Sequence, residues 1–156
     1  MRVPFFHVRR FLFVVLAPLL LAFPAYAPAA PFDAHVVSRD AEISLRTFME
    51  RWAYDQHWAM WEMGHEASRI AWSQNEFAER IRRTGIKPAA GKQVEGIRVY
   101  PKSEYHAEIF VKFSLENHPL NRIRTFTMTV PTVVQDRRWR FQLGDFLQLP
   151  ESGYWY

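Results

Sequence analysis

The fold is decided where the chain changes its periodicity, between SQNEFAERIRRTG at 73–85 and YHAEIFVKFSL at 105–115. The first segment opens with a capping box, ends at a glycine and carries apolar residues one helical turn apart. The second segment alternates apolar and polar residues, which is typical of a strand with one buried face. The sequence therefore predicts a helix over 74–84, followed by strands.

The chain before this point predicts an amphipathic helix that begins near Asp40. Acidic residues favour a helix N-terminus, and Asp40 and Glu42 supply them. An apolar stripe with helical spacing follows, formed by Leu45, Phe48, Met49 and Trp52. One face of this helix is therefore expected to be buried.

A second helical piece is expected beyond Asp55, which interrupts the apolar pattern. Aromatic rings recur at helical spacing around it, namely Tyr54, Trp58, Trp61 and His65. Gly64 weakens the pattern again. We expect two helices with a bend near Asp55, and one long helix is the alternative.

Four strands are expected after residue 85, separated by turn residues. They cover 94–100, 105–115, 122–134 and 138–143. Pro131 predicts a sheet edge or a bulge in the third of them. Helices followed by an antiparallel meander define an α+β domain, in which the helices cover one face of the sheet.

Residues 1–29 have the layout of a secretory signal. Three arginines precede an apolar run at 11–23, and small residues follow it. The run is shorter than the ~20 apolar residues of a membrane-spanning helix. Cleavage after Ala29 and export to the periplasm or beyond are therefore expected, with an uncleaved membrane anchor as the alternative. The chain has no cysteine, which excludes a lipoprotein.

The rest of the chain divides into three parts by composition. Residues 30–37 are predicted to be a flexible lead, 38–149 the folded domain and 150–156 a C-terminal tail with three aromatic rings. Exposed rings lower solubility, so the tail is expected to pack on a cavity mouth or on a partner.

The charge of the chain argues against nucleic-acid binding. The formal net charge is +4, from 20 basic and 16 acidic residues. Three of the basic residues lie in 1–29, which hold no acid, so the remainder carries seventeen bases against sixteen acids. A nucleic-acid-binding domain normally carries a much larger basic excess.

Several short segments in this order are familiar. They are FMERW at 48–52, YD at 54–55, SQNEF at 73–77, DRRWRF at 136–141 and DF at 145–146. Together they resemble the nuclear transport factor 2-like superfamily over about residues 38–149.

The resemblance implies a cone, with the helices packed in the concave face of a curved, mostly antiparallel sheet of four or more strands. One departure is that Arg137 and Arg138 occupy a hairpin turn where the superfamily usually has glycine. The group contains SnoaL-like and ketosteroid isomerase-like enzymes, transport adaptors and domains of secretion proteins, so the fold does not decide the function.

In such a cone the second helix would line the mouth of the cavity. The resemblance thus makes its aromatic stripe a candidate site for a small apolar ligand, formed by Tyr54, Trp58, Trp61 and His65. Plain core packing is the alternative interpretation of the same stripe.

Asp55 and Tyr54 are the candidate catalytic residues of an isomerase-like mechanism. The carboxylate of Asp55 would abstract a proton and the phenol of Tyr54 would stabilise the enolate. We expect instead that Asp55 caps the following helix, because a helix-breaking aspartate is common at this position in the superfamily. The protein is thus expected to be a binding domain rather than an enzyme.

Two other patterns have a structural and a functional interpretation. His106 and Glu108 point to one side of a strand, as a base and its orienting group do, but we expect them on its solvated face. Arg137, Arg138 and Arg140 could bind an anionic surface together with Trp139. Alternatively, Arg138 and Arg140 alternate with Trp139 and Phe141, lie on the solvated face of the hairpin and keep a sheet edge from pairing with other edges.

No metal site or cofactor is expected. His65 and Glu66 begin like a zinc motif, but Arg69 stands where the second histidine is needed. The favoured function is an exported, non-catalytic domain that binds a small apolar molecule or a protein partner. The alternatives are a ketosteroid isomerase-like or dehydratase enzyme and an anchored secretion-system component, and a homodimer is possible.

Overall fold

The computed structural model describes residues 32–117, 120 and 122–149, so the expected signal 1–29 and tail 150–156 lie outside the described residues. The helices are α1 (Ala34–Ala53), α2 (His57–Glu62), α3 (Glu66–Ala71), α4 (Gln74–Thr84) and α5 (Leu143–Gln148). The strands are β1 (Ile86–Pro88), β2 (Gly96–Ser103), β3 (His106–Asn117), β4 (Arg122–Gln135) and β5 (Arg138–Phe141).

Helix α1 begins well before the expected start at Asp40. The carboxylate of Asp33 caps it by accepting the backbone N–H groups of His35 and Val36, at 2.9 and 3.2 Å. Residues 34–37 are therefore helical, which corrects the prediction of a flexible lead over 30–37. The expected apolar stripe faces the core, since its four residues are fully buried.

The chain forms two separate helices, α1 and α2, on either side of Asp55, as expected. Helix α1 ends before Asp55, whose φ of 57° is left-handed and cannot continue a right-handed helix. Helix α3 was not predicted. It is short, and a ring nitrogen of His65 caps it by accepting the backbone N–H of Ser68 at 3.1 Å.

Helix α4 matches its prediction over 74–84. Both halves of the capping box form between Ser73 and Glu76, and Gly85 ends the helix with a φ of 62°. A residue without a side chain adopts this backbone conformation at little cost, which explains the abrupt end.

The sheet is antiparallel and is built around β3. Strand β4 pairs with the whole length of β3, whereas β1 and β2 pair with different parts of the opposite edge of β3. Strand β5 pairs only with residues 132–135 of β4, so Pro131 lies where the sheet edge begins, as expected. The three-residue β1 was not predicted because it is too short to show an alternation.

The helices pack on one face of this curled sheet, which confirms the α+β prediction. Alternate residues of β3 turn their buried side chains to the helices, namely Ala107, Ile109, Val111, Phe113 and Leu115. The core is closed by aromatic packing. The ring of Phe48 lies 4.4 Å from that of Phe146 and 5.3 Å from that of Phe141. Side chains therefore fill this part of the concave face.

Candidate functional site

The four aromatic residues predicted to bind a ligand do not lie along one helix. Tyr54 follows the end of α1, Trp58 and Trp61 lie on α2, and His65 caps α3. Tyr54 and Trp58 are 69% and 58% exposed. Trp61 is half-buried and donates its indole N–H to the carbonyl oxygen of Trp72 at 2.6 Å. Because α1 ends before Asp55, these four side chains do not form one continuous stripe.

Asp55 does not cap α2, which corrects that prediction. The residue before this helix is Gln56, and no side chain caps the helix there. The carboxylate of Asp55 instead lies 3.7 Å from Nε2 of His57 and is 66% exposed. The ring of His57 is buried, and this burial lowers its pKa below 6.5, with a further lowering by Arg82 and an opposing effect of Asp55.

A depression of about 340 Å³ adjoins this pair between α2 and α4. It is lined by Asp55, Gln56, His57, Trp58, Ala59, Ala78 and Arg82. The depression brings Asp55 and Trp58 together but does not include Tyr54. The carboxylate of Asp55 therefore faces solvent and is not enclosed in an apolar cavity.

A larger depression, which we call the arginine groove, lies between α1, α2 and the β4–β5 hairpin. It has a volume of about 410 Å³. Its residues are Asp40, Ile43, Ser44, Arg51, Ala59, Glu62, Met63, Val134, Arg137, Arg138, Trp139 and Arg140. The groove thus combines apolar surface with a concentration of guanidinium groups.

The burial of Arg140 differs from what the sequence predicted for the final hairpin. Alternation placed it on the solvated face with Arg138, yet it is only 7% exposed. The chain after α2 runs along the free edge of β5, where the backbone N–H of Phe141 bonds to the carbonyl of Met63 at 3.0 Å. Arg140 itself donates to the carbonyl oxygen of Glu62.

The electrostatics around Arg140 are unfavourable to its charge. Burial lowers the pKa of Arg140, and the nearby guanidinium groups of Arg69 and Arg138 lower it further, against the opposing effect of Asp136 and Glu62. The nearest oxygen of Asp136 lies 3.9 Å from Arg140, beyond hydrogen-bond distance. The charge of Arg140 is therefore poorly compensated by its neighbours.

A polar cluster that the sequence did not indicate lies where α3 meets α5. The hydroxyl of Ser68 donates to the side-chain carbonyl of Gln142 at 3.0 Å and accepts the backbone N–H of Leu143 at 3.1 Å. Burial raises the pKa of Asp145, and His65 opposes this effect. Because Ser68 is buried and bonded on both sides, the cluster anchors α5 rather than presenting a nucleophile.

The other predicted candidates lie on the surface. His106 contacts the hydroxyl of Ser103 at 3.3 Å, and Glu108 pairs with Lys102 at 3.1 Å. These contacts match the expected solvated face of β3. Within the described residues, no three histidine or acidic side chains are grouped to hold a metal ion.

No family model matches the chain, and no curated protein matches it significantly. None of the helices in the described part of the chain has the length and apolar character needed to cross a membrane.

Proposed function

We propose that this protein is an exported, non-catalytic binding domain and that the arginine groove is its binding site. The ligand is a small molecule with an apolar body. The observation that carries the proposal is the groove itself, which places apolar and arginine side chains around about 410 Å³. This volume is in the range of small-molecule sites.

The composition of the groove wall supports an organic ligand. Ile43, Met63, Val134 and the ring of Trp139 supply apolar surface, and the arginines supply hydrogen-bond donors. A small-molecule site needs apolar surface for the body of the ligand and polar groups that fix its orientation. This groove has both, with polar residues in the majority. We therefore propose this groove as the binding site in place of the predicted site at Tyr54, Trp58, Trp61 and His65.

The packing of the concave face also favours the groove. Phe48 contacts both Phe141 and Phe146 there, so a ligand in that region would have to displace core rings. Displacing a well-packed ring has a high free-energy cost, of order 3–5 kcal/mol for the loss of a buried phenylalanine. A site at the rim of the sheet avoids this cost.

A proton-transfer function at Asp55 has less support. Its carboxylate is 66% exposed, and Tyr54 lies outside the depression that contains it. We therefore prefer the binding function to the isomerase or dehydratase alternative. The proposal of export rests on the signal-like layout of residues 1–29.

We also propose that the domain belongs to the nuclear transport factor 2-like superfamily. The order of helices followed by a curled antiparallel sheet supports this assignment. Membership of this superfamily would not identify the ligand, because the superfamily contains both enzymes and binding domains.

The binding function is tested by calorimetric titration with small naphthyl probes. We expect saturable binding of 1-naphthylacetate to the wild type and its loss in Ser44→Trp, since Ser44 lines the groove and a large ring there would fill it. Glu50→Trp is the matched control, because this exposed residue of α1 lies outside the groove. Undiminished binding to a folded Ser44→Trp variant would contradict the proposed site.

A further inference from the structure

The arginine groove holds more positive than negative charge. Four arginines line it, at 51, 137, 138 and 140, and the acids that line it are Asp40 and Glu62. Clustered like charges repel one another, and the repulsion grows where protein replaces water. Such a cluster is stabilised when an anion binds among the cations.

Two of these guanidinium groups lack partners for part of their hydrogen-bonding capacity. The Nε atoms of Arg51 and Arg140 are buried, and neither has a hydrogen-bond partner within the described residues. Arg140 is more than nine-tenths buried, and the carboxylate of Asp136 lies 3.9 Å from it, beyond hydrogen-bond distance. A buried, partly unpaired charge is unfavourable, so the groove is incomplete as it stands.

Protection of a sheet edge does not explain this arrangement. Exposed arginines such as Arg137 and Arg138 would serve that purpose on the hairpin. Arg140 is buried and lines the groove, and Arg51 lines the same groove from α1. Arginines from a helix and from a hairpin therefore line one depression.

We infer that the arginine groove binds the anionic head of its small-molecule ligand, a carboxylate or a phosphate, while Ile43, Met63 and Trp139 contact the apolar body. This inference rests on the proposed function and adds the chemical class of the ligand. The guanidinium group is suited to the task because it presents paired N–H donors to two oxygens of one anion. The apolar wall beside it distinguishes an amphipathic anion from a free inorganic one.

The test compares three probes with one naphthyl body, namely 1-naphthylacetate, 1-naphthyl phosphate and the neutral 1-naphthylacetamide. Calorimetric titration of the wild type should give an affinity for at least one anionic probe about tenfold or more above that for the amide. The difference in affinity between 1-naphthylacetate and 1-naphthyl phosphate identifies the head group that the groove prefers.

The variant Arg51→Gln removes one guanidinium group from the groove. We expect it to reduce the affinity for the preferred anion about tenfold and the affinity for the amide by much less. Arg46→Gln is the matched control, because it removes the same charge from an exposed residue of α1 that pairs with Glu42 outside the groove. Arg138→Gln, at an exposed position, provides a second test if Arg51→Gln does not fold.

Equal affinities of the wild type for the amide and both anions would overturn this inference and leave the proposed function intact. Equal losses in Arg51→Gln and Arg46→Gln would also overturn it, since they would indicate a response to overall charge. Failure of all three probes to bind would contradict the proposed function itself.

Discussion

Replacement of Trp52 tests the packing that places the helices on the sheet. Its side chain is 0% exposed, and its indole N–H donates to the carbonyl oxygen of Ile86 at 3.0 Å. Its ring also meets the ring of Phe146 edge to face, with centroids 6.2 Å apart. Trp52 thus joins α1 to β1 and to α5.

The expected magnitude follows from these contacts. Trp52→Ala removes a large buried ring and should lower the free energy of unfolding by about 3–5 kcal/mol. Trp52→Phe keeps much of the apolar volume but loses the donor to Ile86, so a smaller loss of about 1–3 kcal/mol is expected. Trp58→Ala is the control, because this exposed ring should change stability by less than about 0.5 kcal/mol.

The assay is urea denaturation followed by far-ultraviolet circular dichroism, with the slopes of the transitions compared between variants. A loss below about 1 kcal/mol for Trp52→Ala would refute the buried position of this ring. An equal loss for Trp52→Ala and Trp52→Phe would instead assign nearly all of its contribution to the indole hydrogen bond.

Three further measurements test other parts of the molecule. Gly64→Ala should destabilise the fold by about 1–3 kcal/mol in the same urea assay, because the added Cβ would lie 2.6 Å from the side chain of Leu143; an unchanged midpoint would refute this close approach. The pKa of His57 is lowered below 6.5 in the folded state, so the wild type should lose stability as the pH falls below about 6.5 until the lowered pKa is passed, a loss that His57→Gln should lack. Intact-mass measurement of exported protein should show loss of residues 1–29, and full-length chain recovered from membranes would favour the anchored alternative.

Elements with strong local signals could be predicted from the sequence. The boundaries of α4 follow from Ser73, Glu76 and Gly85, because a capping box and a left-handed glycine act locally. The buried face of β3 follows from its alternation over many residues. These signals depend on neighbours along the chain and need no knowledge of the tertiary structure.

Other elements depend on tertiary contacts and were missed or misplaced. The short helix α5 is held by Leu143 and Phe146 in the core and by the bond from Ser68. Strand β1 exists through pairing with the far end of β3. In each case the stabilising partner is distant in sequence.

The arginine groove was only partly visible in the sequence. The run of arginines in the hairpin allowed two interpretations, an anion site and protection of a sheet edge, and the second placed Arg140 in solvent. In the fold it is buried instead and donates to the carbonyl oxygen of Glu62 at the end of α2. The approach of Arg51 from α1 to the same groove likewise needs the tertiary fold.

The most direct test of the central claim is a titration observed through the indole N–H signals in two-dimensional nuclear magnetic resonance spectra. The protein has six tryptophans, of which Trp139 lines the arginine groove and Trp58 lines the depression beside Asp55. With 1-naphthylacetate as the probe, we predict a saturable shift of the Trp139 signal and a constant Trp58 signal. A saturable shift of the Trp58 signal with an unchanged Trp139 signal would contradict this prediction. It would place the binding site in the depression beside Asp55.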